Sequence, residues 1–160
     1  MSTLRIISGG QTGVDQAALE AARRIGLLTG GWMPKGWRTT DGPCSEVGRK
    51  YGLLEHESQE YPPRTEQNVI WGDATLRLAR VWTSPGERLT LRMAVKHAKR
   101  SLAVDLADPL PQADVANWII ATGAKVLNVA GNSERTSPGI GAEALAYLQK
   151  VFLSYLERRW

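Results

Sequence analysis

The sequence predicts an α/β domain of doubly wound, Rossmann-like architecture: a mostly parallel sheet with helices on both faces, a three-layer sandwich. Three observations predict it. Short apolar runs of strand character alternate with longer stretches of helical periodicity along the chain. The first and the last strand-like runs each lead through a glycine-rich loop into a helix. With 160 residues and neither a repeat nor a dividing linker, the chain reads as one domain over residues 1–160.

Leu4 to Ser8 reads as the first strand. Residues 13–26 follow as a helix: Val14, Ala17, Ala18, Ala21, Ala22 and Ile25 recur at helical spacing, opposite Gln16, Glu20, Arg23 and Arg24. Gly26 stops it in the usual C-terminal position. Leu27 to Gly31 is a short second strand. Residues 33–63, rich in Gly and Pro, read as irregular apart from a short strand at Leu53, Leu54 and Glu55. Thr65 to Gly72 reads as a short helix and Ala74 to Ala79 as a strand. Ser84-Pro85-Gly86-Glu87 has the chemistry of a helix start, with Ser as N-cap, Pro at the first helical position and Glu at the third. Leu91, Ala94, Val95 and Ala98 are expected to form the buried stripe of that helix. Leu102 to Leu106 is the next strand. Val115, Trp118, Ile119 and Thr122 mark a helix ended by Gly123, and Lys125 to Ala130 is the last strand. Ser137-Pro138 is expected to open the C-terminal helix, with Ile140, Ala144, Leu148, Val151 and Tyr155 on one face. Apolar character continues through Leu156 to Trp160, which predicts a homo-oligomer, a dimer or tetramer.

Composition narrows the class. Hydrophobic residues make up 42% and charged residues 22%, ordinary values for a globular protein. The start, Met1 to Arg5, lacks the apolar run of a signal peptide, and no stretch approaches the ~20 apolar residues that span a bilayer. The single cysteine, Cys44, excludes an internal disulfide and a multi-thiolate zinc site. The predicted location is cytoplasmic, with no membrane partner. A net charge of +4 favours the approach of anions. The basic residues are spread along the chain, and the densest group, Lys96, His97, Lys99 and Arg100, reads as a solvated helix face.

In parallel sheets ligands bind beyond the carboxyl ends of the strands, so the loops after strands hold the candidate chemistry. The first is Ser8-Gly9-Gly10-Gln11-Thr12-Gly13-Val14-Asp15, with Thr12 expected as N-cap. Its glycines let a ligand come close to the backbone, and the helix start offers unpaired amides. It lacks the Lys-Ser/Thr of a Walker A loop and the spacing of a dinucleotide fingerprint. The last loop, Gly131-Asn132-Ser133 through Ser137-Pro138-Gly139, is a second amide-rich helix start, longer than a plain connection. Lys35 and Arg38 stand in a third loop beside Trp37, which either stacks on a planar ligand or packs inward. Arg64 and Asn68 stand at a fourth. No metal-ligand cluster and no nucleophile–base pair stands out, so no catalytic and no metal-binding residue is assigned; His56 and His97 lack a partner pattern.

These loops resemble a known family. Ser8-Gly-Gly-Gln-Thr-Gly-Val-Asp15, Gly30-Gly-Trp-Met-Pro-Lys-Gly36, Asp41-Gly-Pro43, Arg64-Thr-Glu-Gln-Asn68, Asp73-Ala-Thr75, Leu127-Asn-Val-Ala-Gly131 and Ser137-Pro-Gly-Ile140 fall in the order seen in the molybdenum carrier proteins. Those are circularly permuted relatives of the lysine-decarboxylase-like (LOG/SLOG) nucleotide-binding Rossmann fold. The resemblance implies an oligomer that holds molybdenum cofactor, a phosphorylated pterin whose dithiolene sulfurs hold the metal. Residues expected at the ligand on this basis are Gly9, Gly10, Gln11, Thr12, Gly13, Asp15, Lys35, Arg64, Asn68, Gly131, Asn132, Ser133, Ser137, Pro138 and Gly139. One departure stands out: where the family commonly has Gly-Gly-Thr, this chain has Pro85-Gly86-Glu87. Pro85 removes an amide donor, and the Glu87 carboxylate is expected to occupy that helix start or repel an anion from it.

The function expected from the sequence is a non-catalytic carrier or sensor for molybdenum cofactor or a related phosphorylated pterin or nucleotide. The rival is a nucleotide N-glycosidase of the phosphoribohydrolase kind, for which Asp15, Glu134 and Arg135 are the available groups. A nucleic-acid-binding module is the third and weakest alternative, because basic and aromatic residues interleave only at Trp32, Lys35, Trp37 and Arg38.

Overall fold

Alternating apolar runs sort the chain into strands and helices, and the computed structural model describes them over residues 3–159. In chain order they are β1 (Arg5–Ile7), α1 (Val14–Ile25), β2 (Leu28–Gly30), β3 (Trp32–Met33), β4 (Arg38–Thr39), β5 (Gly42–Pro43), α2 (Ser45–Tyr51) and β6 (Leu54–Glu55). There follow α3 (Tyr61–Trp71), β7 (Ala74–Ala79), α4 (Pro85–Lys96), β8 (Arg100–Asp105), α5 (Gln112–Thr122), β9 (Val126–Gly131) and α6 (Ile140–Arg158). Five parallel strands form the central sheet in the order β2-β1-β9-β7-β8. The last strand therefore inserts between the first and β7, and the loops after β1, β7 and β9 gather at one end.

The sheet has two unlike faces. Leu4, Ile6, Leu76, Leu78, Val104, Leu127 and Val129 share a dry core with α1, α5 and α6, which pack on one another. Alternation sends Thr75, Arg77 and Asn128 to the opposite face, beneath α3 and α4, and all three are buried. A smaller core of Leu19, Met33, Val47, Tyr51 and Leu53 joins α1 to the segment between β2 and α3. There Tyr51 donates to Glu20, which also meets Lys50 at 3.4 Å and Arg24 at 3.0 Å. These partners, Tyr51 foremost, hold the Glu20 carboxyl down at about 2. Among the described residues, no helix is long and apolar enough to cross a membrane.

Several expectations need correction. Residues 33–63 contain a helix, α2, whose apolar register is only Val47 and Tyr51, too short to show a stripe. The third helix starts at Tyr61, ahead of Thr65, because Pro62 and Pro63 sit in a first turn whose amides need no intrahelical partner. The first helix is capped by the Gly13 backbone and not by Thr12. The last begins at Ile140 with Gly139 as N-cap, so Ser137 and Pro138 belong to the preceding turn. The largest error concerns α4. Its sheet-facing residues are Glu87, Thr90 and Ala94, while Leu91 is 41% and Val95 73% exposed and Ala98 is also exposed. The reason is the polar sheet face beneath it, which accepts Glu87 and Thr90 in place of an apolar stripe. In the C-terminal helix Tyr155 and Leu156 pack within the chain's own core, and Trp160 lies outside the described residues.

The unequal faces set an expected stability contrast. Phe152 is fully buried in the main core, so Phe152→Ala should cost about 3–5 kcal/mol. Val95→Ser, on the exposed side of α4, should stay within about 0.5 kcal/mol. Urea unfolding of both variants measures the difference.

Candidate functional site

At the carboxyl end of the sheet the chain leaves a cavity of about 400 Å³. Its floor is Asn128, Ala130 and Gly131 of β9; Gly9, Gln11 and Asp15 come from the first loop, Asn132, Ser133 and Thr136 from the last. Helix α3 supplies Tyr61, Arg64, Thr65 and Asn68, and α4 supplies Ser84, Pro85, Gly86, Leu89, Thr90 and Arg92. Thr40, at the tip of the β4–β5 hairpin, completes the wall. The size suits a small organic ligand.

The first loop is held by the carboxylate of Asp15, from the first turn of α1. Its Oδ2 accepts the Gln11 amide at 3.2 Å and lies 3.5 Å from Nη1 of Arg64. Both side chains are buried, and Arg64 Nε has no hydrogen-bond partner. Burial pushes the Asp15 carboxyl up to about 6, against the opposing pull of Arg64 and of the Gln11 and Gly9 amides. Glycine at position 9 leaves room for the pair, since a Cβ there would lie 1.7 Å from Arg64 Nη1 and the guanidinium would have to shift. The Tyr61 ring lies 5.4 Å from the Arg64 guanidinium and 5.1 Å from that of Arg38.

Much of the remaining polarity locks the loops to each other. Gln11 Oε1 accepts the amides of Thr12 (3.0 Å) and Thr40 (2.8 Å). Thr12 Oγ1 accepts the Glu134 amide at 3.2 Å, and Arg135 donates to the Thr40 carbonyl at 3.0 Å. Asn132 Oδ1 accepts the amides of Arg80 and Val81, both at 2.9 Å, and its Nδ2 donates to the Val81 carbonyl. Asn68 pairs through both side-chain atoms with the backbone of Trp32. The start of α6 is already served from within: Glu134 accepts the amides of Gly139 (3.3 Å) and Gly141 (3.0 Å). An anion there would compete with a carboxylate.

The start of α4 is a different case. Ser84 Oγ accepts the Glu87 amide at 3.3 Å, so the N-cap forms. The Glu87 side chain, however, turns to the sheet and pairs with Arg77, whose guanidinium lies 5.6 Å from the Trp82 ring. Burial raises the Glu87 carboxyl, with Arg77 opposing. The expectation that Glu87 occupies or repels an anion at this helix start is therefore corrected: its charge is turned away and matched. The Gly86 amide, at the second helical position, has no intrahelical carbonyl to reach and stands at the cavity wall.

Of the residues proposed from sequence, Gly9, Gln11, Asp15, Arg64, Asn68, Gly131, Asn132 and Ser133 meet at this cavity. Seven do not line it. Gly10 faces Met33 and Leu53 of the small core. Thr12 is buried among loop contacts, and Gly13 packs against the Asn132 carbonyl, which a Cβ would approach to 2.3 Å. Lys35 is exposed at the far end of its loop, and Trp37 packs inward against Gly48. Ser137 is buried in the turn before α6, while Pro138 and Gly139 face solvent. Sequence reasoning missed Tyr61, Thr90, Arg92 and Asn128. Only Asn128 had a usable signal, a polar residue inside an apolar strand; it donates to Thr75 Oγ1 at 3.2 Å. Among the described residues, no three His, Cys, Asp or Glu side chains gather as metal ligands.

The buried pair sets a titration. Asp15 should titrate near pH 6, and Arg64→Gln should move it higher, because the lowering charge is lost. The folded value lies above the ordinary 3.8, so this group stabilises the fold fully below 3.8 and the contribution disappears as pH rises through about 6. Carboxyl carbon NMR across pH 3–8 on both proteins reads the two values; a downward move in the variant would contradict the assignment.

The comparisons bear on this geometry. A crystal structure described as "Putative molybdenum carrier protein" from Syntrophus aciditrophicus SB aligns with a TM-score of 0.83 at 35% sequence identity, over 95% of this chain and 96% of that one. No protein of the curated set matches. The circularly permutated YpsA SLOG family matches residues 6–152, a span that includes every loop lining the cavity. The chain belongs to the circularly permutated YpsA SLOG family.

Proposed function

We propose that this protein is a cytoplasmic, non-catalytic carrier that holds a small phosphorylated ligand, molybdenum cofactor or a related pterin or nucleotide. One observation supports this above the rest: a cavity of about 400 Å³ at the strand ends presents a buried guanidinium, Arg64, with an unpartnered Nε. An arginine so placed suits a phosphate or another oxyanion. The residues fit the organic part and the phosphate of molybdenum cofactor. Tyr61 and Leu89 offer apolar surface, Arg64 and the Gly86 amide offer donors, and the metal stays with the cofactor's own sulfurs. When bound, the cofactor would supply a redox-active metal; this chain would bind it, orient it and shield it from water. The relative's description as a molybdenum carrier points the same way. A homo-oligomer, dimer or tetramer, belongs to this proposal, with Leu91 and Val95 as apolar surface available for it.

A second function has one observation in its favour. Asp15, held near pH 6 at the cavity wall, has the titration range of a general acid or base, as a nucleotide N-glycosidase requires. Its contacts with Arg64 and the loop amides favour a structural role instead.

Mass spectrometry of small molecules released from the purified protein should give a phosphorylated pterin or nucleotide. Titration calorimetry with that compound should show at least a ~10-fold loss for Arg64→Gln, the scale of a charge-assisted hydrogen bond, and no loss for Lys35→Gln. Equal affinity in all three proteins would sink the cavity assignment. Incubation with AMP should release adenine no faster than buffer does; release abolished by Asp15→Asn would establish the enzyme instead.

A further inference from the structure

We propose that the cavity takes up its anionic ligand together with a proton: Arg64 turns from Asp15 to the incoming oxyanion, and Asp15 remains as the neutral acid. This rests on the proposal that the cavity holds an anion, and adds how the site manages the second negative charge.

The geometry makes Arg64 a shared cation. Its Nη1 lies 3.5 Å from Asp15 Oδ2, while Nε is buried with no partner and the residue lines the cavity. Asp15 is 5% and Arg64 7% exposed, so neither charge is screened by bulk water. The charged and titratable groups around them are few. Asp15 faces Arg64 from α3 and the amides of Gly9 and Gln11 from its own loop. Arg64 faces Asp15 and the Tyr61 ring, with Arg38 against the same ring. From the last loop, Glu134 is bound to the amides of Gly139 and Gly141. From α4, Glu87 is paired with Arg77, and Arg92 adds a further cation at the wall. Asp15 is thus the carboxylate that competes with a ligand for Arg64.

One buried guanidinium balances one anion. A second anion leaves uncompensated charge in a poorly solvated site, which is costly. Protonating Asp15 removes one of these negative charges, Arg92 at the wall faces the one left by a dianion, and burial already raises the Asp15 carboxyl to about 6, so the step is small. The balance is simple: the ligand and one solvent proton enter, Asp15 gains an O–H, and no bond of the ligand changes. Because the bound anion raises Asp15 further, affinity should rise as pH falls from 8 and level off below about 6.

Sulfate is the probe, since it stays doubly charged across this range. Calorimetry at pH 5.5 and 7.5 should show sulfate binding more tightly at the lower pH, by up to ~10-fold per pH unit within the linked window. Buffers of different ionisation enthalpy at pH 7.5 should report uptake of a proton. Asp15→Asn should bind sulfate at pH 7.5 as tightly as the native protein does at pH 5.5, with no proton uptake. His56 and His97 are retained in that variant and line no part of the cavity. If Asp15→Asn does not fold, proton uptake by the native protein decides alone. Equal affinity at both pH values without proton uptake overturns the proton coupling and leaves anion binding standing. No saturable sulfate binding at either pH overturns both.

Discussion

The cavity end of the molecule depends on one buried carboxyl group. Asp15 leaves the first turn of α1, takes the Gln11 amide and meets Arg64 across the chain. It therefore fixes the β1–α1 loop and the position of α3 at once. The ionised carboxylate matches the buried guanidinium of Arg64 against the cost of its own burial, which raises the carboxyl to about 6. The glycine at position 9 suits the same contact, because a side chain there would push the Arg64 guanidinium from its place.

The cavity exists because the sheet is built from two unlike faces. One is covered by α1, α5 and α6 through close-packed aliphatic side chains. The other carries Thr75, Arg77 and Asn128, which cannot be sealed by an apolar helix. Helix α4 answers with Glu87 and Thr90 toward the sheet, and Leu91 and Val95 are left outside. Two pairs form on this face, Arg77 with Glu87 and Asn128 with Thr75, while Arg77 Nε and Glu87 Oε2 keep no hydrogen-bond partner. The space that remains between α3, α4 and the strand ends is the candidate ligand site.

Preorganisation is the second property of that site. Gln11, Thr12, Asn68 and Asn132 look like ligand contacts in sequence, yet each uses side-chain atoms to tie separate segments together, and Glu134 closes its own loop onto the start of α6. Loops locked in this way lose little conformational freedom when a ligand enters, which favours binding. In the function proposed above, Arg64, Arg92 and the Gly86 amide are the donors for an anion.

Local patterns along the chain account for the alternation of strands and helices, the two glycine-rich loops and the family resemblance. Each of these is local: Val14 to Ile25 reveal their helix by spacing alone, and Gly26 reveals its end. Eight of the 21 residues that line the candidate site were legible for the same reason, since Gly9, Asp15 and Gly131 stand in glycine-rich motifs after strands. The short α2 escaped because two apolar residues make no period. The rest belongs to tertiary structure. Which loop amides are already occupied, as those of Gly139 and Gly141 are by Glu134, depends on partners that the spacing of residues does not reveal. The orientation of α4 was likewise undecidable from its stripe of Leu91, Ala94, Val95 and Ala98. A helix buries the side that its neighbour can accept, and that neighbour is a strand face made polar by Arg77 and Asn128.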